Sequence, residues 1–319
     1  MNPPEPAANA APTRLTILDG HAQAFRSFYA QTPQDGPDGR AIHALVGMAG
    51  VLARLVRGEG LAEGQQGGVG AGLVAVVLDA PTEARQTFRS ELYPAYKANR
   101  SPRPEGLAHQ LALLPELVSA YGIRALHDPR FEADDLIATL VALAEDVGLQ
   151  TTILSGDKDL LQLVSPNTTV VDTQRNRRYD PAAVRERFGV EPRQLADWLA
   201  LVGDDSDNIP GVPGLGPKAA TRILVAAGSL EVAICHPERL ARPQAVKLLA
   251  ARDLARLSRS LTTLRRDVPL PDPLGGAEAA TPGAWLEALL PPPRPTPELP
   301  ALLRRLGLPI WLLPRGPHG

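Results

Sequence analysis

The chain has 319 residues, a length for one large domain or two modest ones, and 44% hydrophobic residues, enough to build a core. No apolar run reaches the roughly eighteen residues that a membrane-spanning helix needs. A single cysteine, Cys235, excludes a disulfide framework and a multi-thiolate zinc site and suits a reducing cytoplasm. The net charge of −2, from 33 Lys+Arg against 35 Asp+Glu, says little by itself, so the placement of charge carries the information.

Residues 1–13 are rich in Pro, Ala and Asn and lack both a basic start and an apolar h-region, which predicts a disordered tail and not a secretory signal. Leu15 to Gly20 is a short apolar run closed by an Asp-Gly pair and reads as a buried strand. Residues 41–57 carry apolar positions at helical spacing. The glycine-rich stretch from Gly58 to Gly72 reads as a flexible loop and lacks the GK[ST] ending of a nucleotide-binding loop, so no ATP site is expected. Leu73 to Ala80 is a second strand. A helical stretch at 105–120, a brief strand at Ile123 to Leu126 and a helix from near Ala133 to Glu145 follow. Gln150 to Leu154 and Thr168 to Asp172 complete the strands.

Strands separated by helix-length segments imply an α/β fold with a mostly parallel central sheet and flanking helices. From Pro181 the pattern turns helical with no further clear strand, which predicts a core over 14–180 and a helical part over 181–319. Cys235 is expected to be buried in a helix, and the prolines of 267–300 argue against long helices there.

Three apolar strands end in aspartate: Asp19, Asp79 and, beyond a Ser-Gly pair, Asp157. In parallel α/β sheets sites form outside the carboxyl ends of the strands, although any one such residue could simply cap a helix. Glu132, Asp134 and Asp135 open a predicted helix, where acids also favour the macrodipole. Asp157 and Asp159 share one turn, and Asp204, Asp205 and Asp207 crowd one loop, where solvated surface acids are the plain alternative. If these groups converge, two like charges 4 Å apart repel by about 1 kcal/mol in water and roughly 4 kcal/mol at an effective dielectric near 20. Such a cluster takes up protons or binds cations. With no Cys or His among the acids, the donors are hard oxygens that suit Mg²⁺ or Mn²⁺ and argue against zinc. Two such ions between carboxylates make a phosphoryl-transfer site.

Residues 85–104 hold Arg85, Arg89, Lys97, Arg100 and Arg103 against Glu91, interleaved with Phe88, Tyr93 and Tyr96. A solvated basic face is the commoner meaning of a charge run, but cations among rings also suit single-stranded nucleic acid. Gly211 to Ala220 is a glycine-studded turn opening a helix, either an ordinary helix–helix turn or a phosphate-binding one. Residues 239–266 carry eight cations against Asp253, a candidate duplex-facing flank.

The motifs LDGHAQAFRSF (18–28), VVLDA (76–80), TFRSELYPAYKANR (87–100), FEADDLIATL (131–140), LSGDKDLLQLV (154–164), GDDSDNIPGVPGLGPKAA (203–220) and TTLRRDVPL (262–270) give the chain its clearest resemblance. It resembles the bacterial 5′-nuclease family, including the 5′→3′ exonuclease domain of DNA polymerase I and flap endonucleases, in family order from about residue 14 to the end. The resemblance implies a PIN-like core, a helical arch over 81–105 and a helix–three-turn–helix element near 203–226. By resemblance, Asp19, Asp79, Glu132, Asp134, Asp135, Asp157, Asp159, Asp204 and Asp207 hold two or more Mg²⁺ or Mn²⁺ ions, while Asp205 has no direct part. Lys97 and Arg100 match the arch's catalytic cations, Tyr96 a stacking residue and Arg89 a DNA contact. Gly214, Gly216 and Lys218 match the duplex-gripping turn, which often holds K⁺ in the family.

The expectation is therefore a structure-specific 5′-nuclease that hydrolyses DNA at single-strand/duplex junctions in replication and repair, as a cytoplasmic, nucleoid-associated monomer. An RNA-primer-preferring nuclease acting on RNA–DNA hybrids and a non-catalytic junction-binding protein are the alternatives. Association with a polymerase or a clamp is left open by the sequence.

Overall fold

The computed structural model describes residues 14–59, 72–80, 87–274 and 281–314. The expected tail, most of the glycine-rich stretch and residues 81–86 with Arg85 lie outside the described residues. The chain opens with β1 (Arg14–Asp19), α1 (Gly20–Ala30) and α2 (His43–Val56). Then come β2 (Leu73–Val77), α3 (Phe88–Leu92), α4 (Leu107–Ala112), α5 (Leu114–Ala120), β3 (Arg124–Leu126) and α6 (Ala133–Asp146). The strands β4 (Gln150–Leu154), β5 (Thr168–Asp172) and β6 (Arg177–Tyr179) follow. The rest is helical: α7 (Pro181–Phe188), α8 (Leu195–Val202), α9 (Pro217–Ala227) and α10 (Leu230–Cys235). After these run α11 (Arg242–Ala250), α12 (Arg252–Thr262), α13 (Pro282–Leu289) and α14 (Leu299–Leu306).

The strands form one sheet in the order β3-β2-β1-β4-β5-β6, parallel throughout except for β6. Because side chains alternate along a strand, each buried strand feeds two cores. Leu15 and Ile17 of β1, Ala75 and Val77 of β2 and Ile153 of β4 face α6, with α8, α9 and α12 continuing that layer. Leu18, Val74, Val76 and Leu154 face α2 and α5 on the other side. Leu299, Leu302, Leu303 and Leu306 of α14 join this second layer, so the end of the helical part returns to the face opposite α8–α12.

Several expectations change in detail. The helical stretch at 105–120 divides at Leu113, which puts Pro115 in the first turn of α5, where its missing N–H costs nothing. β2 ends at Val77, short of Ala80, as the Leu78 N–H turns to the Leu126 carbonyl at 2.8 Å. The edge strand β6 was not expected, since Arg177 and Arg178 are exposed and only Tyr179 is buried, leaving no apolar run to read. Cys235 ends a helix as expected but is exposed, not buried.

Candidate active site

From β1 the chain steps to β2 and β3 on one side, then returns to β4 on the other. A crevice therefore opens beyond the carboxyl ends of β1 and β4, the position where ligands bind in such sheets. Asp19 sits at its centre. One carboxylate oxygen caps α1, accepting the Ala22 N–H at 3.1 Å, and the other accepts the Ser155 hydroxyl at 2.8 Å. Capping and facing the crevice are thus both true of this residue. The Asp79 N–H donates to His21 Nδ1 at 3.0 Å, and the Asp79 carboxylate accepts the Ala133 N–H at 3.2 Å, tying the end of β2 to the head of α6. Past β4, the Asp157 N–H donates to Ser155 Oγ at 3.0 Å, and the Asp157 carboxylate accepts the Asp159 N–H at 2.8 Å.

Glu132 is the N-cap of α6 in a reciprocal capping box with Asp135, so the chain's acid run starts a helix as well as a site. The loop 203–211 brings a third group of acids. Gly211 has a φ of +64°, and a Cβ there would stand 2.5 Å from the Gly203 nitrogen, so two glycines let the backbone fold on itself. The hairpin-like pairing of Asp204 with Ile209, at 2.9 and 2.8 Å, then presents Asp204 and Asp207.

The segment 93–100 leans on this loop. Asn208 Nδ2 donates to the Ala95 carbonyl at 2.7 Å, Asn99 Nδ2 to the Asp205 carbonyl at 2.6 Å, and the Lys97 N–H to the Asp207 carbonyl at 2.9 Å. Lys97 Nζ donates to Glu132 at 2.6 Å and lies 3.5 Å from Asp207, while Arg100 pairs with Asp207 at 2.5 Å. Lys158 pairs with Asp204 at 2.7 Å. The sequence reading passed over Lys158, although its place between Asp157 and Asp159 was the available signal. Among the described residues, 87–106 form only the short helix α3 and turns.

Three assignments need correction. Arg89, expected on DNA, is 1% exposed, and all five guanidinium N–H groups are used within the fold. Two go to Asp135 at 2.6 and 2.8 Å, one to Glu132 at 3.3 Å, and the others to the carbonyls of Leu261 at 2.8 Å and Thr263 at 3.1 Å. Burial opposes the Arg89 charge, but Asp135 and Glu132 outweigh it and hold its pKa above the ordinary arginine range. Asp135, expected among metal ligands, is 0% exposed and saturated by Arg89, the Arg265 N–H at 2.9 Å and the Glu132 N–H at 3.3 Å, so it works as the anchor of that guanidinium. Tyr96, expected as a stacking platform, is buried. Its hydroxyl donates to Glu132 at 2.8 Å and lies 3.3 Å from Asp207, and burial, with those two acids, raises its pKa.

The remaining acids feel one another. Burial pushes Asp19 up to about 7, against the Ala22 and Ser155 hydrogen bonds and helped by the charges of Asp157 and Asp79. Burial, then Asp157 and Asp204, pushes Asp159 up to about 8. Asp134 is raised well above the usual range by burial and by Asp157 and Asp19, and Asp157 is raised by desolvation even though it keeps an open face. Asp204 is the exception. Burial would raise it, but Lys158 and Ser206 hold it below the usual range.

Among the described residues no three Asp, Glu, His or Cys side chains form a group that could hold a metal ion as they stand. Cations pair with Glu132, Asp204 and Asp207. The donor chemistry nevertheless fits a hard divalent ion. Asp19, Asp134, Asp157 and Asp159 are mutually repelling oxygen donors, and Asp159 Oδ1 is buried without a hydrogen-bond partner.

Between the segment 96–104 and the ends of β2 and α1 lies a cavity of about 1000 Å³, with His21, Asp79, Lys97, Arg100 and Glu132 on its walls. On the other side, the turn before α9 exposes Gly214, Gly216 and Lys218. Gly216 is the N-cap of α9, and Lys247 Nζ donates to the Gly214 carbonyl at 3.0 Å. The basic flank is less free than its charge suggests. Arg256 pairs with Glu231 at 3.0 Å, Arg259 with Asp197 at 2.7 Å, Arg265 with Asp267 at 2.7 Å, and Arg266 with Glu145.

An α/β layer with acids at its switch point is thus joined to a helical half that carries a glycine turn. Residues 14–189 match the model of the 5'-3' exonuclease N-terminal resolvase-like domain, and residues 190–282 match the 5'-3' exonuclease C-terminal SAM fold. The chain belongs to the 5'-3' exonuclease family. It is 41% identical over 261 residues to DNA polymerase I of Rhizobium leguminosarum, covering 80% of this chain and 25% of that protein. It is 39% identical over 257 residues to the thermostable DNA polymerase I of Thermus aquaticus, covering 81% of this chain and 29% of that protein. The chain thus spans little more than a quarter of the length of these curated relatives. Its fold is similar to that of the bacteriophage T5 flap endonuclease in a complex with DNA and metal ions. The TM-score is 0.61 at 21% identity, covering 78% of this chain and 88% of that one.

Proposed function

We propose that this chain is a divalent-metal-dependent 5′-nuclease that hydrolyses DNA phosphodiesters at junctions between a 5′ single strand and a duplex. The observation that carries this reading is the run of hydrogen bonds that links Asp19, through Ser155, to Asp157 and Asp159 past the ends of β1 and β4, beside a cavity walled by Lys97 and Arg100. Asp19, Asp134, Asp157 and Asp159 would hold Mg²⁺ or Mn²⁺, with Asp79, Glu132, Asp204 and Asp207 close by. When bound, such ions supply an activated water and stabilise charge on the leaving oxygen.

The chain's own groups do the rest. Lys97 and Arg100 are held at the cavity wall by Glu132 and Asp207, where they can neutralise a phosphate entering from the cavity. Ser155 and the Ala22 N–H keep the Asp19 carboxylate aimed across the crevice. The exposed turn at Gly214 and Gly216, with Lys218 in the first turn of α9, would take a backbone phosphate of the duplex and, as in the family, a K⁺ ion. Among the described residues no helix is long and apolar enough to cross a membrane. We place the enzyme in the cytoplasm at the nucleoid, acting as a monomer beside a polymerase activity.

The test is single-turnover cleavage of a labelled 5′-flap with Mg²⁺ or Mn²⁺. Asp157→Ala and Lys97→Ala should abolish product while leaving binding of the same DNA within a few-fold. Binding without product in the unaltered chain would instead make it a junction-binding protein, and equal cleavage of an RNA flap would widen the substrate class.

A further inference from the structure

Among the described residues, three that are not glycine hold a left-handed backbone: Lys97 at a φ of +58°, Asn208 at +56° and Asn176 at +48°. Asn176 sits in the tight turn between β5 and β6, where that conformation is ordinary. Lys97 and Asn208 instead lie in two segments, far apart in sequence, that are bonded to each other. Asparagine visits this region readily because its short amide can hydrogen-bond locally, and lysine does not. A lysine held there persists only where its surroundings overdetermine it.

Two bonds flank both residues and close them into one ring. The Asn208 side-chain amide donates to the Ala95 carbonyl at 2.7 Å, and the Lys97 N–H donates to the Asp207 carbonyl at 2.9 Å. Asn99 Nδ2 adds a third bond at the exposed edge, to the Asp205 carbonyl at 2.6 Å. The residues next in the chain, Tyr96 and Ile209, pack with Leu261, Tyr93 and Leu257 in a small apolar cluster of their own. The turn at Lys97 bears directly on the site. Successive side chains of an extended chain point apart, yet Tyr96 and Lys97 reach the two oxygens of one carboxylate. The Tyr96 hydroxyl donates to Glu132 Oε2 at 2.8 Å and Lys97 Nζ to Oε1 at 2.6 Å, with Nζ 4.8 Å from the centre of the Tyr96 ring. Arg100, whose N–H donates to the Lys97 carbonyl at 3.2 Å, follows the same turn to Asp207. Asn208 itself is not on the cavity wall, so its effect on a substrate there passes through Lys97.

We propose that Asn208, seconded by Asn99, is a positioning residue: it clamps the segment 95–99 to the acid loop and so fixes the Lys97 ammonium and the Arg100 guanidinium against the phosphate to be cleaved. The inference rests on the nuclease reading, and its test separates the two. Asn208→Gly is the informative change, since glycine holds a left-handed φ at no steric cost and only the amide is lost. Hydrogen exchange read by mass spectrometry, which needs no substrate, should show residues 95–100 exchanging about tenfold faster, with 204–209 within about twofold. Single-turnover cleavage of a labelled 5′-flap at saturating chain and Mg²⁺ should fall about ten- to a hundredfold, the loss expected when a catalytic group shifts by about 1 Å. The Kd for the same flap in chelator, and Mn²⁺ affinity read by electron paramagnetic resonance, should stay within about twofold, because the acids and the duplex contacts are untouched. Asn99→Ala, which cuts one bond at an exposed position, should slow cleavage by about threefold. Unchanged exchange at 95–100, or unchanged cleavage, would overturn the clamp. Faster cleavage would overturn it too, since the contact would then be a latch. So would a matching loss of Mn²⁺ affinity, which would mean that Asn208 serves Asp204 and Asp207 and not Lys97. Absence of flap cleavage by the unaltered chain would instead overturn the nuclease reading, and the exchange result alone would then judge the clamp.

Discussion

Replacing Arg89 gives the sharpest test of the reasoning, because the structure moves this residue from the substrate surface to the interior. Its five N–H groups join α3 to Glu132 and Asp135 at the head of α6 and to the carbonyls of Leu261 and Thr263 at the end of α12. Arg89→Met removes every one of these bonds and leaves the fully buried Asp135 carboxylate with only backbone N–H partners. Breaking a buried pair from one side costs about 3–5 kcal/mol. At roughly 2–4 °C per kcal/mol for a chain of this size, the melting temperature should drop by about 10 °C. Adding Asp135→Leu should recover part of the loss, since it removes the stranded charge but leaves the Arg265 and Glu132 N–H groups without their acceptor. Thermal and urea unfolding of the two single variants and the double variant give the coupling energy. A drop under about 1 kcal/mol for Arg89→Met, or a coupling energy near zero, would refute the anchoring role. So would a lower salt dependence of DNA binding with unchanged stability, because that is the behaviour of a surface phosphate contact.

Other expectations concern the acids and the two glycine turns. The folded-state pKa values of Asp19, about 7, and Asp159, about 8, lie above the ordinary 3.8, so the folded chain binds protons that the unfolded chain does not between those limits. Stability in chelator should therefore rise as pH is lowered from 8.5 to 6.5, with a slope of up to about 1.4 kcal/mol per pH unit for each group. Scanning fluorimetry across that range checks it, and a flat or falling melting temperature counts against the crowded-acid picture. Saturating Mn²⁺ should flatten the dependence by supplying the positive charge that protons otherwise supply. Gly211→Ala meets both a φ of +64° and a 2.5 Å approach to the Gly203 nitrogen, so it should cost about 2 kcal/mol or more in urea unfolding and depress flap cleavage through the displaced Asp204 and Asp207. Lys218→Ala, at an exposed position, should leave stability within about 0.5 kcal/mol and lower the salt slope of duplex binding by about one.

The apolar runs were sufficient to place β1 and β2, because a strand buried on both faces is largely apolar at consecutive positions, while β4 and β5 showed as short Ile153-Leu154 and Val170-Val171 runs beside threonines, and the aspartates after β1, β2 and β4 marked the crevice. Family order in the motifs then supplied the class of reaction. What spacing could not supply was partnership. Arg89, Tyr96 and Asp135 lie in motifs rich in substrate-facing groups, and nothing local separates a cation aimed at phosphate from one aimed at a buried carboxylate 46 residues later in the chain. That choice depends on how α3, α6 and the end of α12 pack together. The edge strand β6 and the end of β2 escaped notice for the same reason, since a hydrogen bond to a neighbouring strand leaves no trace in composition. The chain's own order of residues thus fixed which acids exist, which runs form strands and where a glycine turn opens a helix. Only the packed molecule decided which charges neutralise one another and which are left facing the crevice, because Coulomb interactions and desolvation act through space between segments far apart along the backbone.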